Sequence, residues 1–122
     1  MNILLVDDDI SSVAALTNLL EHDHTLNIAS NGIDAFELFA SGQYNVVITD
    51  IMMPKMNGVE LLKAIRDKDK TIYVIMITGY PNSQNIRAAE RYHAFALLTK
   101  PLDVERFMKV LSQIETEIGI AL

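Results

Sequence analysis

The 122-residue sequence predicts an α/β fold of the doubly wound class, a parallel sheet with helices on both faces. Three observations predict it. Five short apolar runs alternate with five longer segments of helical periodicity, so the chain reads as β-α five times over. Runs such as "VVI" and "VIMI" do not alternate with polar residues. A strand apolar on both faces is covered on both faces, as in a parallel sheet between helices. No internal repeat, low-complexity tract or linker interrupts the pattern, and the length suits one compact domain.

The elements follow in order. "ILLV" (3–6) is the first strand, and a helix from about Ser11 to Glu21 follows, with Val13, Leu16, Leu19 and Leu20 on one face. Asp9 or Ser11 caps it. "TLNIA" (25–29) is the second strand, before a helix from about Gly32 to Ala40 with the stripe Ile33, Phe36 and Phe39. "YNVVIT" (44–49) is the third, before a helix from about Gly58 to Asp67 carrying Leu61, Leu62 and Ile65. "IYVIMI" (72–77) is the fourth, before the most polar helix, about Ser83 to His93. "FALLT" (95–99) is the fifth. The last helix starts after Pro101, capped by Asp103, with Val104, Phe107, Leu111, Ile114 and Ile118 at helical spacing. The runs are rich in β-branched and aromatic residues, as strands are. Right-handed crossovers then leave two common strand orders, 3-2-1-4-5 and 2-1-3-4-5.

Composition narrows the function. Half of the residues are apolar, enough for a core without a metal or disulfide staple. The absence of cysteine removes disulfides, thiolate metal sites and a cysteine nucleophile together, and fits a reducing compartment. A formal charge of −6 argues against nucleic acid or an anionic membrane as the main partner. No apolar run approaches the length of a membrane span, and Asp7 to Asp9 break the N-terminal one, so neither a span nor a signal peptide is expected. The expected compartment is the cytoplasm.

In a doubly wound sheet, ligands bind at the carboxyl ends of the strands, where the order reverses. Four of the five ends carry polar groups: Asp7 and Asp8 after the first strand, Asp50 after the third, Thr78 and Gly79 after the fourth, Lys100 and Pro101 after the fifth. Three carboxylates, a hydroxyl and an ammonium would converge on one crevice. Carboxylates without histidine or thiol suit Mg²⁺ or Mn²⁺, and Mg²⁺ keeps room for a phosphate oxygen. With Lys100 as a second positive charge and Thr78 as a neutral donor, these are the requirements of phosphoryl transfer. The aspartates are the candidate nucleophiles, as carboxylates that can form an aspartyl phosphate. A lone Thr or Lys after a strand is usually structural, and Asp9 reads as a cap. Complementary groups at four strand ends are harder to ascribe to chance.

These residues resemble the receiver domain of two-component response regulators over essentially the whole length. "LLVDDD" looks like the acidic pair that ends the family's first strand, and "DIMMPKMNG" is similar to its phosphoacceptor loop, with Pro54 and Gly58 following Asp50. "MITG" and "LLTKP" match its Thr and Lys-Pro positions. The resemblance implies a CheY-like, flavodoxin-like three-layer (βα)5 sandwich of order 2-1-3-4-5, with residues 1–122 as a single receiver domain and no effector domain in this chain. It implies Asp50 as phosphoacceptor from a phosphohistidine on a histidine kinase or histidine phosphotransfer protein. Asp8, Asp50 and the backbone carbonyl of Met52 would bind Mg²⁺ (or Mn²⁺), with Asp7 acting largely through water. Thr78 and Lys100 would hold phosphoryl oxygens, and the Lys100–Pro101 peptide would be cis. Such a domain takes one phosphoryl group, hydrolyses it slowly and switches its interaction surface. It is a stoichiometric signalling module, with no direct nucleic-acid contact and a phosphorylation-dependent dimer as an option. Partners in the family dock near the first helix and the loop after the fifth strand, here Ser11, Ser12, Ala15 and Pro101.

The sequence departs from the family at two places. An aromatic residue that swings inward on activation usually stands where Leu97 does. At the turn into the fifth strand, where Gly is frequent, His93 stands, and histidine tolerates positive φ better than a β-branched residue. His22, His24 and His93 are read as exposed and non-catalytic. The apolar tail "IGIAL" is expected to pack on the domain, form a dimer contact or mark a cut before a linker.

Rival readings are a Mg²⁺-dependent phosphatase of the haloacid dehalogenase type, a flavodoxin-like mononucleotide binder and a receiver that only docks. The phosphatase leaves Asp50 and its Met-Pro-Gly loop unexplained, and three carboxylates would repel a nucleotide phosphate. The docking reading has only Leu97 in its favour.

Overall fold

The computed structural model describes residues 1–119. Five strands and five helices alternate: β1 (Asn2–Val6), α1 (Ile10–Leu20), β2 (Thr25–Ala29), α2 (Gly32–Ser41), β3 (Val46–Asp50), α3 (Gly58–Lys68), β4 (Tyr73–Thr78), α4 (Ser83–Arg91), β5 (Ala96–Thr99) and α5 (Val104–Glu117). All strand pairs are parallel, in the order β2-β1-β3-β4-β5. The order reverses between β1 and β3, which places the crevice at the carboxyl ends of those two strands.

The two-residue period of the strands sorts the core into two layers. Ile3, Leu5, Val46, Ile48, Ile75 and Ile77 join Leu16 and Leu20 of α1 and Phe107, Leu111 and Ile114 of α5. Leu4, Val6, Val47, Val74 and Met76 face the other way and join Ala35 of α2, Leu61, Leu62 and Ile65 of α3 and Ala89 of α4. β1, β3 and β4 are therefore buried on both faces, as their unbroken apolar runs require. Each fully buried Leu or Ile among them contributes about 1.5–3 kcal/mol of transfer free energy. β2 is an edge strand; only Ala29 is buried, and Ile28 is 46% exposed, so its alternation is weaker.

Each helix starts on a side-chain cap. Asp9 caps α1: its carboxylate accepts from the Ser11 amide at 3.3 Å and the Ser12 hydroxyl at 2.8 Å. Asn31, Asn57, Asn82 and Asp103 cap the others, and Asn57 with Glu60 forms a reciprocal capping box.

Three readings are corrected. The α2 stripe does not include Ile33, which is 44% exposed; α2 docks through Gly32 and Ala35, small residues that let its backbone approach the loop after β3. β3 begins at Val46 and includes Asp50 as its last residue, paired with Ile77. Val104 is 47% exposed, because α5 starts at the rim and enters the core only at Phe107. Residues 120–122 of the apolar tail lie outside the described residues. No helix among the described residues is long and apolar enough to cross a membrane.

Candidate functional site

β1 and β3 run side by side, so their carboxyl ends bring Asp7, Asp8 and Asp50 together. One carboxylate oxygen from each lies within 4.8 Å of the other two. Asp7 and Asp50 are buried and Asp8 is exposed, so the cluster opens to solvent on the Asp8 side. Lys100, the residue after β5, reaches in from across the crevice. Its Nζ lies 3.0 Å from Asp50 Oδ2 and 3.5 Å from Asp7 Oδ2.

One ammonium faces three carboxylates. Burial, with repulsion from Asp50 adding to it, pushes the Asp7 carboxyl above the ordinary carboxylate range, against the pull of the Asp9 amide, which donates to Asp7 Oδ1 at 3.0 Å. Partial burial would lower the Lys100 ammonium, but its bond to Asp50 and the charges of Asp50 and Asp7 outweigh it and hold it above the usual lysine range. Asp9 differs from its two neighbours. The Ser12 hydroxyl bond holds it below the ordinary range, as suits an ionised cap.

The remaining positions surround this cluster. Thr78 is fully buried at the end of β4, and its hydroxyl oxygen accepts from the Tyr80 amide at 2.9 Å. Met52 is 58% exposed, and its amide makes only a long 3.4 Å contact to Asp50 Oδ1, so the loop after β3 holds that oxygen loosely. The Lys100–Pro101 peptide is cis, and the Lys100 amide donates to the Thr78 carbonyl at 2.8 Å. Leu97 pairs with Met76 and is half-buried against the α2–α4 layer. His93 adopts φ 57°. His22 and His93 are exposed, but His24 is half-buried with Nδ1 3.0 Å from the Met1 amine, which corrects the reading of all three as exposed.

Two glycines fix the loop that carries Asp50. A Cβ on Gly58 would come within 2.2 Å of the Asp50 carbonyl oxygen, and the Gly58 amide donates to the Ile51 carbonyl at 2.8 Å. A Cβ on Gly32 would come within 2.2 Å of the Met56 carbonyl oxygen, which accepts from the Gly32 amide at 3.0 Å. Gly58 belongs to the motif already noted. Gly32 was missed, although "NG" directly before a helical pattern is a signal of a tight capped entry.

The donor set fits a hard divalent cation: three carboxylates within reach of one another, two of them buried, with neither thiol nor imidazole in the group. Adding positive charge there relieves the repulsion that Lys100 only partly offsets.

The family model for the response regulator receiver domain matches residues 3–112. The transcriptional regulatory protein ZraR of Klebsiella oxytoca is 34% identical over 93% of the chain, although the match spans only 26% of that protein. The chain likewise spans about half or less of the next curated relatives, at 50% and 37% of their lengths. Among solved structures, the signal receiver domain of an HD domain-containing protein from Pseudomonas fluorescens Pf-5 superposes with a TM-score of 0.88 at 30% identity, covering 95% of this chain and 94% of that one. The response regulator TrrA of Thermotoga maritima, solved in complex with Mg²⁺ and BeF, gives 0.83 at 29% identity, covering 93% and 97%. Fold and sequence agree, and the chain belongs to the response regulator receiver domain family of two-component systems.

Proposed function

We propose that this receiver domain accepts one phosphoryl group on Asp50 from a phosphohistidine on a histidine kinase or histidine phosphotransfer protein. The observation that carries the reading is Lys100 Nζ, 3.0 Å from Asp50 and 3.5 Å from Asp7, beside three convergent carboxylates. Asp8, Asp50 and the Met52 carbonyl would hold Mg²⁺, with Asp7 acting through water. When bound, the cation supplies charge neutralisation on the transferring group.

In the transfer an Asp50 carboxylate oxygen attacks phosphorus in line with the P–N bond of the donor. The P–O bond forms, the P–N bond breaks, and the donor imidazole keeps the electron pair and takes up a proton. Lys100 is placed to shift from Asp50 Oδ2 to a phosphoryl oxygen as the carboxylate loses its charge. The Thr78 hydroxyl is placed to donate to another. In a separate second step water attacks phosphorus, the bond from phosphorus to the Asp50 oxygen breaks, inorganic phosphate leaves and the Asp50 carboxylate returns. The domain acts once per phosphoryl group, and its output follows from the altered surface.

A groove of about 350 Å³ supports docking of the donor beside the site. Its lining includes Ser11, Ser12, Ala15 and Pro101 together with Asp7 and Lys100 of the site. In this reading residues 1–122 work as one cytoplasmic receiver domain.

Mass spectrometry after incubation with a small phosphodonor and Mg²⁺ tests the assignment. The expected result is a gain of one phosphoryl group, lost in Asp50→Asn and absent in chelator. Turnover of an unrelated phosphate ester would favour the phosphatase reading, and a gain that survives Asp50→Asn would move the acceptor elsewhere.

A further inference from the structure

Arg66 is a buried cation with no carboxylate within salt-bridge distance among the described residues. It stands in the last turn of α3 and is only 7% exposed. Its guanidinium donates to three backbone carbonyls: Nε to Tyr92 at 2.9 Å, Nη2 to His93 at 2.8 Å and Nη1 to Asp69 at 3.2 Å. Tyr92 is the C-cap of α4 and His93 the residue after it. Burial lowers the guanidinium from its usual value, yet an arginine stays charged in proteins. A cation thus sits against the negative end of the α4 dipole and satisfies carbonyls the helix itself leaves open.

The end of α4 is closed in a second way. The His93 amide donates to the Glu90 carbonyl at 3.2 Å and the Ala94 amide to the Ala89 carbonyl at 2.8 Å, with His93 at φ 57°. This is a Schellman closure with histidine where glycine is usual. The Phe95 amide then enters the sheet by donating to the Val74 carbonyl at 2.7 Å.

The opposite end of α4 is held differently. It follows Thr78 by a short exposed loop, tied by the bond from the Tyr80 amide to the Thr78 hydroxyl and by Asn85 to the Tyr80 carbonyl at 3.2 Å. Between its ends, α4 buries only Ala89. One end is thus anchored by a charged clamp on two carbonyls, Tyr92 and His93, the other by a hydroxyl that belongs to the site. The clamp is itself rooted at the site, because α3 starts at Gly58, packed on Asp50, and buries five residues along its length.

We propose that Arg66 is a positioning residue that fixes the carboxyl end of α4 and the turn into β5, so that phosphorylation moves α4 from its Thr78 end about an Arg66-held pivot. The pivot rests on the proposed phosphoacceptor role of Asp50, whereas the clamp itself does not. Leu97 is compatible with this route, since it needs no rotating aromatic side chain.

Amide hydrogen exchange on the full chain tests both parts, with Mg²⁺ and beryllofluoride as the phosphoryl mimic. Without the mimic, Arg66→Met should speed exchange of the bonded amides of residues 92–95 at least tenfold relative to the amides of β1 and β3. Arg66→Lys, which keeps the charge but loses the planar fork of the guanidinium, should fall between. With the mimic, the Asp50 loop should be protected and the wild-type change along α4 and its flanking turns should be confined to residues 79–86, whereas in Arg66→Met it should spread to 92–95. Unchanged exchange at 92–95 in both variants would overturn the clamp. A wild-type change as large at 92–95 as at 79–86 would overturn the pivot. If the mimic fails to protect the Asp50 loop at all, the phosphoacceptor reading and the pivot fail together, while the mimic-free comparison still decides the clamp. If Arg66→Met does not fold, Arg66→Lys alone decides: exchange at 92–95 equal to wild type overturns the clamp, and faster exchange supports it.

Discussion

At the residue scale, three adjacent aspartates stand in three different settings, separated by burial and bonding. Asp7 is buried beside Lys100, Asp8 is exposed at the mouth of the cluster, and Asp9 is bonded to its own helix. Asn caps a helix as well as Asp does, so Asp9→Asn should leave stability within a few tenths of a kcal/mol and Mg²⁺ affinity within about twofold. On the proposed direct contact of Asp8 with Mg²⁺, Asp8→Asn removes a full charge and should weaken Mg²⁺ binding by more than about tenfold, since even a screened unit charge at that distance exceeds about 1.4 kcal/mol. Titration of the two variants by calorimetry checks this, and equal losses would mean that Asp9 belongs to the site. Asp7, Asp8, Asp50, Thr78 and Lys100 could be found in the sequence because each lies at or within two residues of the end of an apolar run. Gly32 and Arg66 could not be found that way. Gly32 matters for what its missing Cβ leaves free, and an arginine in a polar last turn reads as a solvated charge until its three carbonyls are seen.

At the scale of the elements, caps were legible and helix faces less so. Asp9 and Asp103 announce their helices by residue type, whereas α2 buries small residues that no hydrophobic stripe marks. Two turns yield predictions. His93 holds a left-handed conformation that costs an L-residue about 1–2 kcal/mol and glycine almost nothing. After the entropy that glycine adds to the unfolded chain, His93→Gly should stabilise the domain by about 0.5–1 kcal/mol in urea unfolding, and His93→Val should destabilise it. Asp69 closes α3: its Oδ1 accepts from the Thr71 amide at 2.7 Å, the Thr71 hydroxyl at 2.9 Å and the Ile72 amide at 3.0 Å. Those bonds, the Thr71 amide first, hold its carboxyl below the ordinary 3.8. A carboxyl depressed in the folded state stabilises above its unfolded value and loses that stabilisation as pH falls through the folded value. Asp69→Ala should therefore cost about 1 kcal/mol near pH 7. The gap from wild type should narrow below about pH 4, where the unfolded-state carboxyl takes up its proton. Urea melts at pH 7 and pH 3 test the sign, and a gap that widens in acid would refute it.

At the scale of the whole molecule, the β-α count and the sheet's burial followed from the sequence, but the order 2-1-3-4-5 did not. Right-handed crossovers permit two orders, and only the resemblance chose between them, because the choice rests on which helices cover which face rather than on any one residue. That order brings the acidic ends of β1 and β3 into contact and so builds repulsion into the fold. Like charges gathered at a partly buried site destabilise the empty domain, and a cation that binds only the folded state returns stability by mass action. Mg²⁺ at a hundredfold excess over its dissociation constant should add about 2.7 kcal/mol. For a domain of this size that is a rise in melting temperature on the order of 10 °C, reversed by chelator. Asp7→Asn should act in opposite directions on the two forms. It removes one of the two buried charges while Asp50 keeps its 3.0 Å bond to Lys100, so the chelated domain should melt a few degrees higher, about 1 kcal/mol more stable. It also removes part of the negative potential that draws the cation, so the Mg²⁺-dependent rise should shrink to less than about half. Differential scanning calorimetry of both proteins, with Mg²⁺ and with chelator, separates these effects. A lower melting temperature for Asp7→Asn in chelator would show that Lys100 alone already balances the cluster, and that the cation is bound for chemistry without relieving any strain in charge.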